Sequence, residues 1–187
     1  MSSQKWKWAL DREQLSIGLI HTIVFDFDGV FTDNYVYVDS QGNETVRCSR
    51  ADSYGINLLK RAQTKFDYFL DYFVLSTEIN PVVTNRCKKM GIDCHSGEAN
   101  KLAFLQDWLK NNRSGHSSPE RGVLYFGNDL NDLEVMSHVG YSIAPSDAHP
   151  KVQKIANLVL ASAGGQGFVR EGIELFLNSQ LQTSEAF

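Results

Sequence analysis

The chain has 187 residues, of which 42% are hydrophobic and 21% are charged, and its formal net charge is −4. These values suit one globular domain with a sizeable core. An acidic balance gives no attraction to nucleic acid or to an anionic membrane, so neither is expected as a partner. We find no apolar run near the roughly 18 residues of a membrane helix and no secretory signal. The three cysteines form no CxxC pair, which favours a reducing cytoplasm as the location of the protein.

After a polar lead-in that contains Trp6 and Trp8, predicted strands and helices alternate along the chain. Apolar β-forming runs predict strands at residues 21–27, 69–75, 123–126, 141–144 and 158–160. Helical spacing and end signals predict helices at residues 52–62 (capped by Asp52), 81–90, 100–110, 132–138, 151–156 and 168–177. Residues 34–39 and 44–48 alternate around a turn and predict a β-hairpin. The alternation predicts an α/β fold, a Rossmann-like parallel sheet with helices on both faces plus the inserted hairpin.

Two aspartates follow the first predicted strand, in the motif DFDGVFT at residues 26–32. A buried strand that ends here delivers Asp26 and Asp28 to the same edge of the sheet. Two carboxylates this close repel each other unless a cation lies between them, which favours a Mg²⁺ site in which one carboxylate is also a nucleophile. The alternative is a strand that ends in an ordinary turn, since Asp and Gly both favour turns.

Three further polar groups lie where later strands end or helices begin. Ser76 and Thr77 follow the second central strand, where a hydroxyl and a backbone N–H could hold a phosphoryl oxygen. Lys101 begins a helix and could neutralise a phosphoryl group together with an attacking carboxylate. The run GNDLND at residues 127–132 supplies oxygen side chains that could complete a Mg²⁺ shell, namely Asn128, Asp129 and Asp132.

Each of these three groups also has an ordinary structural explanation. Ser76 could cap a helix, Lys101 could be a solvated surface lysine, and residues 127–132 could be a capped helix start. Their order favours a site, because an acid pair, a hydroxyl, a lysine and an acidic cluster fall at successive ends of one parallel sheet. That edge is where ligands bind in open α/β sheets, and this set of groups suits phosphoryl transfer.

The four motifs in this order resemble those of the haloacid dehalogenase superfamily of aspartate-nucleophile phosphatases, over about residues 20–177. The segments RADSYGI (50–56), DAHP (147–150) and GGQGFVRE (164–171) are similar to those of capless, tetrameric 3-deoxy-D-manno-octulosonate 8-phosphate phosphatases and their nonulosonate relatives. Those relatives include the phosphatase domain of some acylneuraminate cytidylyltransferases. The segment STEINPVV (76–83) is closer to this acylneuraminate, or sialic acid, branch.

The resemblance implies a role for each catalytic residue. Asp26 would attack phosphorus and form an aspartyl-phosphate. Asp28 would protonate the leaving sugar oxygen and then deprotonate the attacking water. Ser76 and Lys101 would hold phosphoryl oxygens, and a substrate-contacting or supporting role would fall to Thr32, Thr77, Asp129 and Asp132.

The resemblance also implies a Mg²⁺ ion bound by Asp26, by the backbone carbonyl of Asp28 and by a side chain of the last cluster. Many relatives have Gly-Asp-Asp where this chain has Gly127-Asn128-Asp129. An amide oxygen can bind Mg²⁺ but adds no charge. We therefore expect Asn128 as the third ligand, with Asp129 as the alternative.

The implied organisation is a lead-in (residues 1–20), a phosphatase domain without a cap (21–177) and a C-terminal tail (178–187). A homotetramer would form around the hairpins at residues 34–48, and a neighbouring subunit would cover the active site. The glycine loop at 164–167 and the C-terminal segment would approach an adjacent active site, although the loop equally fits a plain strand-to-helix turn. Residues 64–72 are longer than the usual link and predict either a longer strand or a small insertion.

The expected activity is Mg²⁺-dependent hydrolysis of a sugar-acid phosphate of the nonulosonate 9-phosphate type. One alternative is a 3-deoxy-D-manno-octulosonate 8-phosphate phosphatase. Another is a non-catalytic oligomerisation module of an acylneuraminate cytidylyltransferase. The presence of both Asp26 and Lys101 favours an enzyme over that module.

Overall fold

A computed structural model describes residues 20–66 and 69–184, without the side chains of Phe66 and of residues 180–184. The part of the lead-in that contains Trp6 and Trp8 lies outside the described residues. Residues 67–68, within the long 64–72 segment, also lie outside them. On either side of that gap the first helix ends at Phe66 and the next strand begins at Asp71, so the predicted strand start at residue 69 is too early.

The sheet has the predicted parallel architecture. The strands are β1 (Thr22–Phe25), β2 (Thr32–Val38), β3 (Glu44–Cys48), β4 (Asp71–Leu75), β5 (Asp93–His95), β6 (Val123–Phe126), β7 (Tyr141–Ala144) and β8 (Leu158–Val159). Strands β2 and β3 form a separate antiparallel hairpin. The other six form one parallel sheet in the order β5-β4-β1-β6-β7-β8. Strand β1 lies at the point where the strand order reverses, and the crevice at its carboxyl end is where a ligand is expected.

Helices cover both faces of this sheet. They are α1 (Arg50–Phe66), α2 (Pro81–Met90), α3 (Lys101–Asn112), α4 (Leu133–His138), α5 (Pro150–Ile155) and α6 (Phe168–Ser184). One core cluster joins α1, α2 and α6 to the β1 face that carries Ile23 and Phe25. The other cluster joins α3, α4 and α5 to the opposite face, which carries Val24. Alternate residues of one buried strand therefore serve two cores, as the continuous apolar run predicts.

Several predicted boundaries differ from the structure. Strand β1 ends at Phe25, directly before Asp26, and not at residue 27. Helix α6 continues to Ser184, so the predicted helix end at residue 177 is wrong. Strand β5 was not predicted, because three residues, Asp-Cys-His, show no apolar pattern.

Asp52 does not cap α1, which begins two residues earlier. The Ser49 hydroxyl accepts the Ala51 N–H at 3.0 Å. The buried Asp52 carboxylate instead accepts the N–H groups of Gly167 and Arg170, at 3.2 and 3.1 Å, at the start of α6. Asp52 therefore joins α1 to α6 and satisfies donors that α6 itself cannot pair.

Within the described ranges, none of the helices combines the length and the apolar character needed to cross a membrane.

Candidate active site

A cleft of about 340 Å³ opens at the carboxyl ends of β1, β4 and β6. It is lined by Asp26, Asp28, Asn34, Ser76, Thr77, Asn128, Asp129, Leu130 and Asn131. Lys101 and Asp132 are buried beside Asp26, and Thr32 lies beside Asp28. The structure thus brings together all the residues that the sequence predicts for the site.

Asp26 lies immediately after β1 and is only 3% exposed. Its backbone N–H donates to the Phe126 carbonyl at 2.8 Å, which fixes it against β6. Its Oδ1 accepts the Phe27 N–H at 2.7 Å and lies 2.8 Å from Lys101 Nζ. Among the described residues, Oδ2 has no hydrogen-bond partner, so this oxygen is available to a ligand.

The electrostatic setting of Asp26 favours a bound cation. Burial raises the pKa of Asp26 to about 8, and the Asp132 carboxylate adds to this rise, while Lys101 opposes it. The ammonium of Lys101 is shared between the two carboxylates and cannot neutralise both. A further positive charge at the cleft would stabilise the ionised form of Asp26 that a nucleophile requires.

Asp28 is half-buried in the turn that follows Asp26. The Thr32 hydroxyl donates to its Oδ1 at 3.4 Å and accepts the Gly29 N–H at 3.1 Å. Burial raises the pKa of Asp28, the nearby Glu78 carboxylate raises it further, and the Thr32 hydroxyl lowers it. The net rise suits a group that must carry a proton before it can act as a general acid.

Because Asn80 caps α2, the helix-cap interpretation of Ser76 is wrong. Its Oγ accepts the Glu78 N–H at 3.0 Å, so it does shape the local turn. Its backbone N–H is taken by the His95 carbonyl at 2.9 Å. The Ser76 hydroxyl proton remains available to a ligand in the cleft, and the exposed Thr77 adds a second hydroxyl beside it.

Lys101 is not a solvated surface lysine, because it is only 3% exposed although it begins α3. Its Nζ lies 2.8 Å from Asp26 Oδ1 and 2.7 Å from Asp132 Oδ1. Burial lowers the pKa of Lys101, but the two carboxylates outweigh this effect and the net pKa is raised. Lys101 therefore stays protonated and held against the Asp26 carboxylate.

Asp132 is the most heavily bonded group of the site. Besides Lys101, its carboxylate accepts the Tyr125 hydroxyl at 2.8 Å and the N–H groups of Asn128 and Asp129 at 2.8 and 3.3 Å. The sequence places Asp132 in the last cluster but does not indicate Tyr125, which reads as an ordinary apolar strand residue. Only the register of β6 with the following turn places this hydroxyl beneath Asp132.

Asn128 and Asp129 differ in their hydrogen bonding, which suits them to different tasks. The Asn128 Oδ1 is buried and has no hydrogen-bond partner among the described residues. The Asp129 Oδ1 accepts the Leu130 N–H at 2.7 Å and caps the 3-10 turn Leu130–Asp132. An unpaired buried oxygen is costly, so it indicates a partner that the protein chain does not supply.

The donors at this edge fit Mg²⁺, which prefers oxygen ligands. The structure provides the Asp26 carboxylate and the unpaired amide oxygen of Asn128, and the resemblance adds the backbone carbonyl of Asp28. No three His, Cys, Asp or Glu side chains of the described residues are grouped to hold a metal. The expected donor set is therefore mixed, with one carboxylate, one backbone carbonyl and one neutral amide.

The glycine loop at 164–167 packs on the Asp28 turn of the same chain. Gly165 N–H donates to the Val30 carbonyl at 3.0 Å, and Gly164 N–H donates to Asp147 Oδ1 at 2.9 Å. A Cβ at Gly164 would lie 2.0 Å from the Gly29 carbonyl oxygen. Asp147 and the glycine loop thus support the turn that carries Asp28, and the approach of this loop to an adjacent active site stays a prediction.

Comparisons with known proteins agree with this geometry. Residues 59–171 match the family model described as haloacid dehalogenase-like hydrolase. The chain is 33% identical over 168 residues to the 3-deoxy-D-manno-octulosonate 8-phosphate phosphatase of Escherichia coli (strain K12), covering 89% of this chain and 84% of that protein.

Solved structures show the same likeness. The crystal structure of the Yersinia pestis 3-deoxy-D-manno-octulosonate 8-phosphate phosphatase matches with a TM-score of 0.78 and 29% identity, covering 92% of this chain and 88% of that one. The cobalt-bound octulosonate 8-phosphate phosphatase of Haemophilus influenzae matches with a TM-score of 0.77 and 28% identity, covering 91% and 94%. The chain therefore belongs to the haloacid dehalogenase-like hydrolase family.

Proposed function

We propose that the protein is a Mg²⁺-dependent phosphatase that hydrolyses the phosphate monoester of a sugar acid. The observation that carries this proposal is the buried Asp26, which has one unpaired carboxylate oxygen and Lys101 2.8 Å from the other. The similarity to octulosonate 8-phosphate phosphatases supports a sugar acid as the alcohol that is released. The cobalt-bound relative supports a divalent metal in the reaction.

Asp26 Oδ2 attacks phosphorus, and the bond from phosphorus to the sugar oxygen breaks. Asp28 gives its proton to that oxygen, so the sugar leaves as a neutral alcohol. The resulting aspartyl-phosphate is then attacked by a water molecule, whose proton Asp28 accepts. This second step releases inorganic phosphate and restores the Asp26 carboxylate.

The remaining residues bind the phosphoryl group and orient the reacting side chains. Lys101 and the Ser76 hydroxyl bind phosphoryl oxygens, while Asp132 keeps the Lys101 ammonium in place. A Mg²⁺ ion held by Asp26, by the Asp28 carbonyl and by Asn128 would offset the negative charge of the phosphoryl group. Thr32 orients the Asp28 carboxyl through its hydroxyl.

We further propose a nonulosonate 9-phosphate, of the sialic acid type, as the substrate and a reducing cytoplasm as the location. The segment STEINPVV, which includes Ser76 and Glu78, supports the nonulosonate type. The three cysteines, all of them free thiols, support the location. The names of the relatives favour the second candidate, an octulosonate 8-phosphate.

The proposed assembly is a homotetramer that completes the uncapped cleft. Residues 35–38 of the hairpin support it, because these four apolar side chains are 52–71% exposed. A free two-stranded hairpin rarely keeps such a surface in water. The same assembly would serve an attached cytidylyltransferase, but a purely structural module has no use for a buried Asp26, Lys101 and Asp132 arrangement.

The test is a phosphatase assay over sugar phosphates with and without Mg²⁺, on the wild type and on Asp26→Asn. We expect Mg²⁺-dependent release of phosphate, and a loss of several orders of magnitude in Asp26→Asn, because the covalent nucleophile is gone. Asp107→Asn is the matched control, since it neutralises an exposed carboxylate on α3 that does not line the cleft. Near wild-type turnover in Asp26→Asn would show that the mechanism is wrong.

A further inference from the structure

Asn34 has a backbone conformation that L-amino acids rarely adopt. Its φ of +63° makes it the one non-glycine residue with positive φ within the ranges that the structure describes. Asparagine tolerates this left-handed region better than most residues, but glycine occupies it without any steric penalty. A non-glycine residue here therefore suggests that the side chain has a use.

A bulge in the hairpin directs Asn34 to the cleft. The register of β2 with β3 shifts between Thr32 and Val36, and Asn34 lies inside that irregular stretch. Bulges of this kind re-aim side chains and are common beside active sites. Asn34 lines the cleft and is exposed there.

Asn34 is linked to the general acid. Its backbone N–H donates to Thr32 Oγ1 at 3.1 Å. The same hydroxyl donates to Asp28 Oδ1 at 3.4 Å. Lys101, by contrast, contacts Asp26, the residue that attacks the phosphoryl group. Asn34 therefore stands on the side of the cleft where the leaving sugar oxygen receives its proton.

The chemistry of the amide fits a sugar hydroxyl. An amide offers both a donor and an acceptor, as a hydroxyl does, and it adds no charge. This matters because the Glu78 carboxylate already places negative charge near Asp28. Among the described residues, the Asn34 amide makes no hydrogen bond of its own, so it is available to a ligand.

We propose that Asn34 is a specificity-determining residue whose side-chain amide binds a hydroxyl of the sugar acid next to the phosphate ester. This inference rests on the proposed function, since it assigns the leaving-group half of the same cleft. The ligand class is a polyhydroxylated alcohol, in contrast to a flat aromatic leaving group that offers no hydroxyl at this position.

The test exploits the fact that glycine suits the backbone of position 34. In Asn34→Gly the turn is retained and only the amide is removed, so the melting temperature should stay equal or rise. The measurement is kcat/KM with Mg²⁺ for p-nitrophenyl phosphate and for whichever of octulosonate 8-phosphate and nonulosonate 9-phosphate the wild type prefers. We expect kcat/KM for the sugar-acid phosphate, divided by kcat/KM for p-nitrophenyl phosphate, to fall about 3- to 10-fold, as for loss of a neutral hydrogen bond.

A second variant separates the amide from the shape of the side chain. Asn34→Asp keeps the size and also tolerates the left-handed backbone, but it replaces the donor with an acceptor and adds charge beside Asp28. We expect the same ratio to fall in this variant too. A wild-type-like ratio in Asn34→Gly, from an enzyme that does hydrolyse the sugar-acid phosphate, overturns the inference alone. A wild type that hydrolyses neither octulosonate 8-phosphate nor nonulosonate 9-phosphate overturns the proposed function and the inference with it.

Discussion

At the scale of single residues, the two halves of the cleft differ in how tightly they are fixed. Asp26, Lys101 and Asp132 are buried and contact one another, so their positions are set by the core. Asn34 and Thr77 are exposed at the rim. Phosphoryl chemistry requires preorganised charges, whereas a rim can vary with the alcohol that it admits.

The unpaired Asn128 oxygen gives a prediction about metal affinity. Asn128→Asp should lower the Mg²⁺ concentration for half-maximal activity by about an order of magnitude, because it adds charge to an oxygen site for a hard cation. The added carboxylate lies near Asp26 and Asp28, so the same variant should melt lower without Mg²⁺ and gain more on its addition. Activity and thermal melts, each against Mg²⁺ concentration, measure both effects.

Asp129→Asn is the control for this experiment, because Asp129 caps the turn at Leu130. It should change the Mg²⁺ dependence little. If Asp129→Asn strongly weakens Mg²⁺ binding and Asn128→Asp leaves Mg²⁺ binding unchanged, Asp129 is the third ligand.

His21, at the opposite edge of the sheet, gives a prediction about pH. Burial lowers the pKa of His21 to about 4, and the charges of Arg113 and His116 lower it too, against the opposing effect of the Pro119 carbonyl and Asp71. The unfolded chain binds a proton near pH 6.5, so it holds more protons than the folded chain between pH 6.5 and 4. The free energy of unfolding should therefore fall as the pH drops through that window.

Thermal melts of His21→Gln should show a smaller loss of melting temperature between pH 7 and 4.5 than the wild type. His138→Gln changes an exposed histidine on α4 and should keep the wild-type dependence. Equal pH dependence in all three proteins would contradict this assignment.

At the scale of elements, the hairpin exposes apolar side chains that the other residues described by the structure do not cover. Placing charge at Val36 or Val38 should dissociate the proposed tetramer and lower activity together, because a buried carboxylate at an apolar interface is costly. Light scattering and the phosphatase assay on Val38→Asp measure the two effects. Ile155→Asp, which changes an exposed apolar residue on α5, is the matched control. A wild type that is a fully active monomer would refute the assembly.

Elements with a strong apolar pattern could be predicted from the sequence, and those fixed by tertiary contact could not. β6 and β7 have the predicted bounds because their runs are buried on both faces. Strand β5 exists because it pairs with β4, not because of its composition. Lys101 illustrates the same limit within the site, since its place in the chain indicated a role but only the fold shows that it is buried between two carboxylates.

At the scale of the whole molecule, distant segments meet beneath the catalytic turn. Gly164→Ala should destabilise the protein by about 1–3 kcal/mol, since its Cβ would lie 2.0 Å from the Gly29 carbonyl and backbone must move to admit it. Activity should fall more than about tenfold, because the displaced turn carries Asp28. Thermal melts and kcat/KM test this. Gly115→Ala is the control, since a Cβ there would meet no atom within 4 Å.

The stretch from Asp26 to Cys48 begins with the attacking carboxylate and ends with the hairpin. On the roles proposed above, the residue that attacks phosphorus and a residue that selects the alcohol lie on one short piece of chain, with the tightly packed part first and the exposed part second. Exchanging residues 34–48 between relatives should therefore redirect the enzyme to a different alcohol without rebuilding its phosphoryl chemistry. The hairpin is therefore the segment at which we would begin the engineering of new substrate preferences.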